Sequence, residues 1–138
     1  MSIDWLNTIS PTELFRLMQT GGPLNVIDVR TPAEFATVHA EGARLLPLAS
    51  LDAAAAARHD GTIYVLCHSG QRAATAARQL QRVGSRDVTV VQGGTVAWEQ
   101  AGLPVVRGVA SGTSHERQIR IGMAVLILLA ALLAWWKR

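Results

Sequence analysis

The chain has a single cysteine, Cys67, among 138 residues. A lone thiol excludes an intramolecular disulfide framework and any multi-cysteine metal site; neither a metal nor a cofactor is expected. Aromatic residues make up only 5% of the chain, and no basic run is interleaved with them. The electrostatic footprint of a nucleic-acid binder is therefore missing, and no nucleic-acid partner is expected. Excess charge is also small. Residues 1–120 hold nearly equal numbers of arginines and acids, and Lys137 and Arg138 supply most of the net +3. The N-terminus has an acid at Asp4 and no basic region ahead of an apolar stretch, so it does not read as a secretory signal. The bulk of the chain is expected in a reducing cytosol.

What the chain does have is apolar residues, at 49% with a positive mean hydropathy, too rich for a disordered protein. They are unevenly placed. Residues 121–136, IGMAVLILLAALLAWW, are apolar but for Gly122, and without them the remainder falls to about 43%, an ordinary soluble value.

Two segments carry a helix-start signature, Ser10-Pro11-Thr12-Glu13 and Thr31-Pro32-Ala33-Glu34. Each places a capping hydroxyl, a proline that has no amide to leave unpaired, and a glutamate able to reach back. Helices are predicted over 11–20 and 32–38, the first stopped by Gly21-Gly22-Pro23. Short Val/Ile/Leu-rich runs at 24–29, 45–48, 62–66 and 87–91 suit strands covered on both faces. Helices are expected at 52–59, 71–83 and 95–101, the alanines at 53–57 marking one packed closely on the sheet. The alternation argues for an α/β fold, a parallel sheet with helices on both faces.

Cys67 directly follows the strand Thr62–Leu66 and precedes a helix from about Gln71, so the thiol lies at the carboxyl end of a parallel strand, where ligands collect in such sheets. Amides at the helix start, with Arg72 nearby, favour thiolate over thiol. A cysteine at a strand end is otherwise most simply a small buried hydrophobe. Here the polar flank His68, Ser69, Gly70 and Gln71 makes a poor core wall, and Gly70 permits a turn that lets successive amides converge.

CHSGQR at 67–72 resembles the active-site loop of the rhodanese sulfurtransferases. Asp28-Val29-Arg30, Glu34-Phe35, His39, Gly42-Ala43, Leu46-Pro47, Gly93-Gly94, Ala97-Trp98 and Ala101–Val105 resemble further stretches of that family, in order, over about residues 10 to 106. Ala73 stands where the family commonly has serine or threonine, and Val38 and Ala40 flank His39 where glycine and isoleucine are usual. The resemblance implies a rhodanese-like fold without cofactor and a double displacement. Cys67 takes sulfane sulfur from a small anionic donor such as thiosulfate, holds it as a persulfide, and passes it to cyanide or a thiol. The amides of His68, Ser69, Gly70, Gln71 and Arg72 would stabilise the anion, and Arg72 would attract the donor. A non-enzymatic persulfide carrier or redox-sensing thiol serving a membrane partner is the alternative. A phosphatase of the related kind has five residues between cysteine and arginine. Here there are four, a cradle better sized for one sulfur atom.

Asp28 and Arg30 are expected to support the site, Asp28 by holding backbone or an arginine rather than by moving protons. His39 is expected to be structural, His68 to tune the thiolate, and Trp98 to be a core aromatic; His59 and His115 have no visible partner.

The tail invites a membrane reading. Sixteen apolar residues span about 24 Å as a helix, and counting from Ile119 to Arg138 restores about 30 Å if Arg120 and Lys137 reach toward the two interfaces. Trp135 and Trp136 then sit at headgroup depth. Glu116 to Ile121 resembles the start of the membrane region that follows some rhodanese domains. The expected organisation is a rhodanese-like domain over 1–106, a linker over 107–118 and a transmembrane helix over 119–138, anchoring a domain that faces the cytoplasm.

Overall fold

The computed structural model describes residues 5–58 and 60–108. The expected membrane helix at 119–138, most of the expected linker, His59 and His115 lie outside the described residues. Among the described residues no helix is long and apolar enough to cross a membrane.

The elements run β1 (Asn7–Ile9), α1 (Pro11–Thr20), β2 (Asn25–Asp28), α2 (Pro32–Thr37), β3 (Val38–Ala40), β4 (Arg44–Leu45), a 3-10 turn (Leu48–Ser50), α3 (Ala53–Ala56), β5 (Ile63–Leu66), α4 (Gln71–Arg82), β6 (Val88–Val91), α5 (Gly94–Gln100) and β7 (Val105–Arg107). Five strands form one sheet in the order β1-β6-β5-β2-β4, every pair parallel. β5, the strand that leads to Cys67, is thus central. Its four residues and those of β6 are buried throughout, as their unbroken apolar runs require.

The pleat sends alternate side chains to opposite faces. Ile63, Val65 and Cys67 pack with α3 and α4, whereas Tyr64 and Leu66 pack with Leu14 of α1 and Trp98 of α5. Both faces are therefore covered by helices, as the alternating pattern demanded. Ala73, Ala76, Ala77 and Leu80 form the buried stripe of α4, at helical spacing. Close packing by alanine is thus a property of α4. In α3, expected from residue 52 to 59, only Ala53–Ala56 are helical among the described residues, and of these four only Ala56 is buried.

Both capping hydroxyls accept as expected, Ser10 Oγ from the Glu13 amide and Thr31 Oγ1 from the Glu34 amide. Only at Thr31 does the glutamate reach back to complete the box, because Glu13 turns instead to Arg16. The expected strand over 45–48 is just Arg44–Leu45, after which Pro47 leads into the 3-10 turn. The helix expected to reach 38 ends at Thr37, since Val38 is extended and joins β3. β3 pairs antiparallel with β7 in a small second sheet, so Arg107, the first residue of the stretch expected to be linker, lies in a strand.

Candidate active site

Cys67 is the first residue after β5 and only 1% exposed, whereas the loop residues His68 and Ser69 are exposed. The thiol therefore forms the floor of the loop. Gly70 stands at the N-cap of α4 with φ 109°, a conformation costly for any residue with a Cβ. The turn brings its amide back onto the sulfur: Gly70 N–H donates to Cys67 Sγ at 3.0 Å. This is one member of the expected ring of amides.

The other wall of the loop comes from α5. The Thr95 amide and hydroxyl both donate to the Cys67 carbonyl, at 2.7 and 3.1 Å, and the Val96 amide donates to the His68 carbonyl at 3.2 Å. Gly93 and Gly94 hold φ of 69° and 58° to start α5 at this spot. A Cβ on Gly94 would collide with the Cys67 carbonyl oxygen and the His68 carbonyl group. The role of Thr95, and the reason for the glycine doublet, escaped sequence reasoning; the doublet between a strand and a helix was the available signal.

Asp28 and Arg30 are buried together, and Arg30 is 3% exposed. The Arg30 guanidinium donates through Nε and Nη2 to Asp28 at 2.7 to 3.0 Å, and Nη2 also donates to the Val38 carbonyl at 2.7 Å. Asp28 thus holds an arginine, as expected, and also accepts from the Arg30 amide. It pairs in register with Leu66, the residue before the thiol. Breaking such a pair on one side would strand a buried charge, at about 3–5 kcal/mol.

Arg72 is ion-paired. Its two terminal nitrogens donate to the two oxygens of Glu34, each at 2.8 Å. Glu34 also accepts from the amide and hydroxyl of Thr31. The Arg72 hydrogen bond, then those of Thr31, hold the Glu34 carboxyl well below the usual carboxylate range, against a desolvation effect that raises it. Glu34 in turn raises Arg72, with smaller contributions from Cys67 and Asp28. Both side chains are roughly one-third exposed, so solvent screens the pair and it acts mainly to position the end of the loop.

His39 is stacked on Phe35 at 3.7 Å between ring centroids, with Nδ1 2.7 Å from the Phe35 carbonyl oxygen, a structural role as expected. Trp98 is buried, edge-on to Phe15, and donates to the Pro104 carbonyl. Ala73 is wholly buried among the residues of the α4 face, where a hydroxyl in place of its methyl would need a partner. Gln71 opens α4 from an exposed position. Among the described residues no group of side chains could hold a metal ion.

The profile of the rhodanese-like domain matches residues 10–101. The uncharacterized protein slr1261 of Synechocystis is 36% identical over 127 residues, covering 91% of this chain and 70% of its own. That alignment necessarily runs well past Gly108. The thiosulfate sulfurtransferase GlpE of Pseudomonas aeruginosa is 32% identical over 69% of this chain and 86% of its own. Among solved structures, a rhodanese-related protein from Thermoplasma volcanium superposes with a TM-score of 0.64 at 26% identity, over 72% of this chain and 97% of that one. The chain belongs to the rhodanese-like domain family, and its relatives include a sulfurtransferase.

Two outcomes test this geometry. Gly61 also has positive φ but open space around it, so Gly61→Ala should cost about 1 kcal/mol. Gly94→Ala should cost at least about 2 kcal/mol more, because it adds a backbone collision; denaturant midpoints compare the two. The second concerns pH. A carboxylate whose folded pKa lies below its ordinary 4.5 contributes stability above that value and loses it as pH falls through the folded one. Wild type should therefore lose stability from about pH 5 downward more steeply than Glu34→Gln, read from midpoints across that range.

Proposed function

We propose that the domain is a sulfurtransferase that carries sulfane sulfur as a persulfide on Cys67. The observation that carries the reading is the Gly70 amide 3.0 Å from Sγ, on a loop with four residues between Cys67 and Arg72. In the first half-reaction the Cys67 thiolate attacks the outer sulfur of a small anionic donor such as thiosulfate. A new S–S bond forms, and sulfite leaves with the electron pair of the old one. In the second, a thiol or cyanide attacks the outer sulfur of the persulfide and the pair returns to Sγ. The amides of His68, Ser69, Gly70, Gln71 and Arg72 receive the anionic sulfur, while Asp28 and Arg30 hold the backbone beside it. With Arg72 paired to Glu34, attraction of the donor is weaker than a lone guanidinium would exert.

The segment 119–138 anchors the protein at a membrane, with the catalytic domain facing the cytoplasm. Supporting this is the apolar run at 121–136 between Arg120 and Lys137.

Incubation of the reduced full chain with thiosulfate should add the mass of one sulfur atom, and Cys67→Ser should abolish both the adduct and thiocyanate formation from cyanide. Absence of the adduct on intact wild type would sink the reading. An adduct that discharges rapidly to one membrane protein and extremely slowly to small acceptors would instead establish the carrier alternative. For the anchor, wild type should stay in the membrane pellet after carbonate extraction, and a variant ending at residue 118 should not. Release of wild type into the supernatant would refute it.

A further inference from the structure

A cleft of about 330 Å³ opens beside the sulfur loop, between the loop that follows β2 and the 3-10 turn. Its walls include Val29, Pro32, Pro47, Leu48 and Ala49, and Arg72 stands among them. Two of its walls belong to the packing around the thiol: Val29 shares a buried cluster with Cys67, and Leu48 packs against that cluster. Arg72 closes the sulfur loop.

The cleft is too large for the small reagents usually offered to a persulfide. Water occupies about 30 Å³ per molecule, so thiosulfate or cyanide would leave most of this space to solvent. Its volume lies at the lower end of about 300–1,000 Å³, the range of sites that hold organic ligands. Its chemistry points the same way. Arg30 borders it, but that guanidinium is taken by Asp28 and the Val38 carbonyl. Arg72 gives Glu34 one N–H from each terminal nitrogen, two of the five a guanidinium carries. One cationic group at the loop end and carbon elsewhere complement an anionic sulfur on an apolar body.

We propose that this cleft is the acceptor subsite, and that it takes a low-molecular-weight thiol with an apolar aliphatic or aromatic body, its sulfur at the Arg72 end and its carbon against Pro47 and Leu48. This rests on the sulfur-transfer reading. The acceptor thiolate attacks the outer sulfur of the Cys67 persulfide. The acceptor S–S bond forms, the Cys67 S–S bond breaks, and its electron pair stays on Sγ as thiolate, so no external oxidant or reductant is needed.

The test uses the full chain in one detergent, loaded with thiosulfate and freed of excess donor. Loss of the one-sulfur adduct by intact mass gives discharge rate constants for phenylmethanethiol and 2-sulfanylethanol. Each is divided by its rate with free cysteine persulfide, which cancels intrinsic nucleophilicity, and comparison of wild type with the variants in the same micelles cancels partitioning. The corrected ratio should favour phenylmethanethiol by about tenfold or more, and Leu48→Ser should reduce that preference by about tenfold. Ala49→Trp fills the cleft from an exposed position where folding is not at stake, and should reduce it as well. A corrected ratio near one, or a preference unchanged in both variants, overturns the subsite. If no adduct forms at all, the sulfur-transfer reading fails and the subsite with it.

Discussion

Everything at the thiol depends on two backbone carbonyls being held from behind. The carbonyls of Cys67 and His68 accept from the first amides of α5, and Thr95 adds its hydroxyl to the first of them. A loop of four residues has few torsions to spare. With its entry fixed, the positive φ at Gly70 suffices to return an amide to the sulfur. α5 can sit so close only because Gly94 has no Cβ, while Gly93 avoids Ala97 of the same helix, and its far end is held by Trp98, which packs on Phe15 and donates to the Pro104 carbonyl. Aromatic packing on one face of the sheet thus supports the geometry of a thiol directed to the other.

The charges around this frame are arranged in neutral pairs. Asp28–Arg30 is buried and also reaches the Val38 carbonyl, joining the end of β2 to the start of β3. Glu34–Arg72 joins α2 to the end of the loop, and Glu34 completes the cap of α2 with its remaining capacity. One carboxylate therefore terminates a helix and positions the sulfur loop together. The group that faces the sulfur atom itself is directional rather than ionic, the Gly70 amide at hydrogen-bond distance, while the guanidinium of Arg72 is held to the side by Glu34.

Legibility in the sequence followed locality. Caps, the glycine stop after α1 and the buried runs of β5 and β6 are decided by neighbouring residues, and these elements fell where hydroxyls, prolines and Val/Ile/Leu runs put them. β1, β3 and β7 are three-residue strands defined by partners far along the chain, Asn7–Ile9 by Thr89–Val91 and Val38–Ala40 by Val105–Arg107, so no local period announces them. α3 failed differently. Its alanines have high helix propensity, but with one buried residue among them there is little packing to extend the helix. At the site, CHSGQR located the thiol, whereas the clamp by Thr95 and the pairing of Arg72 with Glu34, 38 residues apart, exist only once the strands are assembled.

The same long-range pairing places the last described residues close to the support of the site. β7 runs antiparallel to β3, bringing Arg107 opposite Val38, and the next amide, Gly108 N–H, donates to the Thr37 carbonyl at the end of α2. A side chain at Gly108 would collide with the Ala36 carbonyl, so glycine is what lets the backbone seat there. α2 carries Glu34, and β3 supplies the carbonyl that Arg30 holds. The polypeptide thus leaves the domain from the segment that anchors both arginines of the site, through a paired strand and a seated glycine rather than through a frayed end. A displacement of Gly108 would therefore be felt first at the Thr37 carbonyl and then along the β3–β7 ladder, so this small sheet, invisible to local pattern, ties the last described strand to the helix that carries Glu34.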